Sequence, residues 1–72
     1  MRKNDRDPAL TEAIKTAGGL AALGQKLGVT AGAVGQWDRT PSHQVIAVER
    51  ATGVHRARLR PDLYPPETGD AA

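Results

Sequence analysis

The chain has 72 residues, ten Lys or Arg against eight Asp or Glu, and no cysteine. That is one small domain, with no disulfide or thiolate metal site to staple it. No stretch is long and apolar enough to cross a membrane or to act as a signal peptide, and a cytoplasmic location is expected. Charge is uneven. Residues 8–64 hold seven Lys or Arg and four Asp or Glu, so the expected folded part is more basic than its ends. Such a surface suits nucleic acid, although a merely solvated basic face fits as well.

Local punctuation divides the chain into five short helices and no strands, an all-α fold. Asp7-Pro8 is a capping residue followed by proline at the first helical position. Leu10, Ala13, Ile14 and Ala17 recur at helical spacing, and Gly18-Gly19 ends the run. Leu20, Leu23 and Leu27 form the inner stripe of a second helix, closed by Gly28. Thr30 caps a third helix predicted over 31–38, with Val34 and Trp37 pointing inward. Val29 before the cap and Val34 after it have the spacing of a hydrophobic staple. Thr40-Pro41 predicts the start of a fourth helix carrying Val45, Ile46, Val48 and Ala51, with Gly53 as its end. A fifth turn is expected over 55–60, limited by Pro61, with Leu59, Leu63 and Tyr64 over the core. Residues 1–7 are expected to be a flexible arm, 8–64 the domain and 65–72 a disordered tail.

The informative stretch is 20–39. Two short helices meet at Gly28-Val29-Thr30, with Gly24 small where the two helices must cross closely. This is the mechanical requirement of a helix-turn-helix, whose second helix stands out to enter a major groove. Gly32, Gly35, Gln36 and Arg39 are expected on one outer face, opposite Val34 and Trp37. Gln36 offers a bidentate amide suited to adenine, and Arg39 can reach guanine or phosphate.

With Ala17-Gly18-Gly19, Leu27-Gly28-Val29, Val34-Gly35-Gln36-Trp37, Thr52-Gly53-Val54 and Leu59-Arg60-Pro61-Asp62, the chain resembles Cro/CI-type repressors. More narrowly it is similar to the YdaS-like antitoxin group. The resemblance implies a lambda-repressor-like DNA-binding domain and a transcriptional repressor from a phage or toxin–antitoxin locus. Carried over by position, it places Ala31, Gly32 and Gln36 against bases, and the outer face adds Gly35. Candidates for the DNA backbone are Leu20, Gln25, Lys26, Thr30, Arg39, Thr40, Ser42 and His43. The expected partner is double-stranded DNA, a palindromic operator bound by a homodimer. The rival expectation is a protein-interaction module that binds a host or partner protein.

Other features carry less. Arg56, Arg58 and Arg60 read as a solvated charged face ahead of a DNA surface. His43 and His55 lack metal-ligand spacing, and neither a P-loop nor a nucleophile–base set is present, so no metal, cofactor or enzymatic activity is expected.

Overall fold

The computed structural model describes residues 6–65. Among them are five α-helices: α1 Pro8–Ala17, α2 Leu20–Leu27, α3 Ala31–Gly35, α4 Val45–Thr52 and α5 Arg56–Leu59. A 3-10 turn, Ser42–Gln44, leads into α4. The flexible arm expected over 1–7 and the disordered tail expected over 65–72 fall, for residues 1–5 and 66–72, outside the described residues.

The helix ends follow the local chemistry. The Asp7 carboxylate accepts the Leu10 N–H at 3.3 Å. Gly18 closes α1 at φ 107°, and Gly19 donates back to the Ile14 carbonyl at 2.9 Å. Gly28 and Gly53 end α2 and α4 in the same left-handed region, which lacks a steric penalty only for glycine. The His55 Nδ1 accepts the Ala57 N–H at 2.9 Å and caps α5, so this histidine has a local structural task.

The core has two halves. Ala9 and Ala13 of α1 meet Val45 and Val48 of α4, with Val54 and Leu59. Leu10 and Ile14, on the next face of α1, meet Leu23 of α2 and Val34 of α3. Leu27 and Trp37 pack against both halves and join them. With so short a chain, these few contacts supply most of the apolar burial that opposes conformational entropy.

Three local expectations are corrected. The third helix stops at Gly35 rather than Asp38. Its last turn tightens: Gln36 and Trp37 donate to the carbonyls three residues back, Ala33 and Val34. The fourth helix starts at Val45, not at Pro41, because the 3-10 turn intervenes. Thr40 caps nothing: its side chain is fully buried, and the Arg60 guanidinium donates to its carbonyl at 2.9 Å. Finally, Leu63 is exposed rather than over the core, while Tyr64 packs against it under the Arg56 guanidinium.

Candidate nucleic-acid interface

The α2–α3 unit is built around a backbone crossing. Val29 donates to the Gly24 carbonyl at 2.8 Å, and Gly24 is buried with the Val29 and Thr30 carbonyls against it. The Thr30 hydroxyl accepts the Ala33 N–H at 3.0 Å and starts α3. Val34 then anchors α3 to the core, fully buried. The opposite side of α3 is left in solvent.

That open side consists of Gly32, Ala33 and Gln36, with Thr30 at its start. Ala31 is half-buried. Gly35 is half-buried too, and a side chain there would be in contact with Leu20 Cδ1 at 3.5 Å. Ala33 and Gly35 are each rotated about 100° from the buried Val34, in opposite senses, and it is Gly35 that has Leu20 of α2 beside it. Gly35 is thus less open to a duplex than Gly32, Ala33 and Gln36. Ala33, not singled out from the sequence, is exposed; its position three residues before Gln36 was the available signal.

Among the candidates for the DNA backbone, Gln25, Lys26, Thr30, Arg39, Ser42 and His43 are exposed, and Leu20 is half-buried at the start of α2. Gly19 gives α2 no capping side chain, so its first N–H groups remain available to an anion. Thr40 is excluded by its burial.

Arg39 is exposed but partnered. Its Nη2 lies 3.1 Å from Asp62 Oδ2. The same carboxylate takes two bonds from Arg60, Nε to Oδ1 at 3.0 Å and Nη2 to Oδ2 at 2.8 Å. The hydrogen bonds from Arg60, with the charge of Arg39 adding, hold the Asp62 carboxyl well below the usual carboxylate range. Arg56 pairs with Glu49 at 2.8 Å, and Arg58 pairs with Glu12, whose carboxyl is lowered by that hydrogen bond. The three arginines of 56–60 therefore tie α5 and the following turn to α1, α4 and Thr40. Lys26 and Arg50 form no ion pair among the described residues, and with Ala47 and Ala51 they line an open groove of about 550 Å³ between α2 and α4.

Sequence reasoning missed Arg6. It lies within 1–7, the expected arm, yet its Nη2 donates to the Gly35 carbonyl at 3.0 Å and its Nε to the Trp37 carbonyl at 3.2 Å. The next N–H, of Asp7, donates to the Asp38 carbonyl at 2.7 Å. The end of α3 is thus held by residues about thirty positions earlier, a pairing for which the local sequence gives no signal.

A family profile described as bacterial toxin YdaS matches residues 10–68. The chain belongs to the YdaS family. In structure this YdaS-family chain is similar to the Cro protein from the prophage element Xfaso 1 in Xylella fastidiosa strain Ann-1. The two share 35% identity at a TM-score of 0.75, over 81% of this chain and 97% of that one. No curated protein matches. The five-helix arrangement of the YdaS-family chain is thus that of a Cro-like helix-turn-helix protein. The family description names a toxin, whereas the resemblance drawn from the sequence named an antitoxin group.

Proposed function

We propose that this protein is a Cro-type repressor that binds double-stranded DNA sequence-specifically, with α3 in the major groove. The observation that carries the reading is the exposed Gly32, Ala33 and Gln36 face on a helix-turn-helix shared with a Cro protein. That face is sparse. Gln36 alone can make a bidentate base contact, while Ala33 and the half-buried Ala31 offer methyl groups to thymine. Gly32 lets the backbone approach closely. Phosphate contacts fall to the N–H groups at the start of α2, to Thr30, Ser42 and His43, and to Lys26 and Arg39. So few base contacts in one module favour a homodimer on a palindromic operator, with recognition helices about 34 Å apart.

The test is selection of bound sequences from a random DNA pool, followed by titration at two salt concentrations. The expected result is one enriched two-fold site whose log affinity falls linearly with log salt. No enrichment, together with binding indifferent to salt, overturns the reading.

The second reading is a module that acts on a host or partner protein, favoured by the family's description as a toxin. Fold leaves this open, because one fold hosts many functions. Expression in bacteria separates the two. Growth arrest that survives substitution of the α3 face would favour the protein target.

A further inference from the structure

We infer that Arg6 is a positioning residue for base reading, acting through Gln36; the inference rests on the DNA-binding reading above. Arg6 holds the carbonyls on both sides of Gln36, those of Gly35 and Trp37. The Gly35 carbonyl lies in the peptide plane that precedes the Gln36 α-carbon and the Trp37 carbonyl in the plane that follows Trp37, so Arg6 clamps the two-residue segment that carries Gln36 at both its ends, and with it the direction in which the Gln36 side chain leaves the backbone. The Gln36 and Trp37 N–H groups tie this segment back to Ala33 and Val34 within α3, and Arg6 ties it to the rest of the domain. The Gln36 side chain is exposed, and the residue follows a helix of only five residues, too short to be rigid by itself.

The carbonyls that Arg6 takes belong to the end of a helix, where backbone acceptors lack internal partners. A guanidinium suits the task because its planar fork presents several donors at fixed angles. Lysine carries the same charge but presents a point-like ammonium. It cannot hold two carbonyls two residues apart in the same fixed geometry. Arg6 is itself half-buried, and two of its three guanidinium nitrogens are engaged with the backbone. This arrangement fits positioning better than direct phosphate binding. The Asp7 N–H bond to the Asp38 carbonyl places the Arg6 backbone alongside the same segment, so the clasp has two points of attachment.

The experiment compares the parent protein, Arg6→Lys, Arg6→Met, Gln36→Ala and the double variant Arg6→Met/Gln36→Ala. Each is titrated with the operator selected by the parent and with its single-base variants, at a temperature where melting curves show it folded. Arg6→Lys and Arg6→Met are expected to lose discrimination on the order of tenfold at one base pair, the same one at which Gln36→Ala loses it. On the Gln36→Ala background, Arg6→Met should remove no further discrimination.

Uniform weakening on all sequences with a shallower salt dependence would make Arg6 a phosphate contact and overturn the inference. Full discrimination in a folded Arg6→Met protein, or in Arg6→Lys should the methionine variant not fold, would overturn it as well. Failure of both variants to fold would leave Arg6 a stability residue and not a positioning one. A specific parent whose discrimination does not depend on Gln36 overturns the inference but not the DNA reading. A parent that selects no site overturns both.

Discussion

Val29 donates its N–H to the carbonyl of Gly24, and its own carbonyl lies 2.6 Å from the point a Gly24 side chain would occupy. The turn of the helix-turn-helix therefore passes over α2 where only glycine leaves room. The obstacle is backbone, which cannot rotate away as a side chain can. Gly24→Ala must push the turn outward, and is expected to cost about 3 kcal/mol, the upper range for overpacking. For a domain whose core supplies roughly 3–5 kcal/mol, that approaches global unfolding. Gly32→Ala is the control, since a side chain there meets only the Thr30 hydroxyl, at 3.9 Å. Replacing helical glycine in open space should stabilise by up to about 1 kcal/mol. Urea denaturation of the two variants checks this. A Gly24→Ala protein as stable as the parent would mean that the turn is not pinned.

Thr40 gives a second test, in the opposite direction. Its hydroxyl is fully buried and has no hydrogen-bond partner among the described residues. A buried polar atom without a partner costs about 1–3 kcal/mol. Thr40→Val keeps the branched shape and removes the orphan oxygen, so it should raise stability by about 1 kcal/mol. The midpoint of denaturation is expected to shift upward with an unchanged slope. A loss of stability would show that the hydroxyl has a partner in solution.

Thr40 also marks where sequence reasoning stops. Asp7-Pro8, Gly18, Gly28, Thr30 and Gly53 were legible because each acts on backbone groups within a few residues of itself. Thr40-Pro41 has the same local form, yet Arg60 reaches its carbonyl from twenty residues away and the segment packs inward. The end of α3 is a similar case, because the groups that hold it come from Arg6 and Asp7. Spacing placed Val34 inside and Gln36 outside correctly. It gave no sign of the Leu20 side chain beside Gly35, because a turn so short is positioned by what α2 presents to it.

The position of Gly35 changes how the groove-facing side should be probed. A large residue there would press on Leu20 and disturb the α2–α3 packing, so a loss of binding would have two explanations. Ala33 is the cleaner site, being exposed on the same side as Gln36. Ala33→Glu should leave the melting temperature near the parent value, since surface changes are usually within about 0.5 kcal/mol. It should abolish DNA binding, because the new side chain adds both bulk and negative charge against the duplex. Circular dichroism melting and a DNA titration on one sample check both halves. A folded Ala33→Glu protein with parental affinity would move the recognition surface away from α3.

The last prediction concerns the carboxylate that Arg39 and Arg60 share. Asp62 is held ionised mainly by hydrogen bonds from Arg60, so its folded pKa lies below the unfolded value of about 4. A depressed acid stabilises the fold above the unfolded pKa, and that contribution is lost as pH falls below it. Asp62→Asn should therefore flatten part of the acid-side loss of stability. It should not remove all of it, because the Glu12 carboxyl is lowered by Arg58 in the same sense. The same substitution bears on DNA. In the parent, Arg39 has its guanidinium on Asp62 and must share it with any phosphate. Without the carboxylate, one more cation is available, and a negative charge that repels the duplex is gone. Affinity at low salt should rise, and the log–log salt slope should steepen by about 0.9, the value for one additional phosphate contact. Arg60 keeps its bond to the Thr40 carbonyl, so the turn after α5 remains attached while the slope is measured. An unchanged slope in a folded Asp62→Asn protein would show that Arg39 does not meet the DNA backbone. A fall in affinity would show that Asp62 orients Arg39 toward the phosphate instead of restraining it.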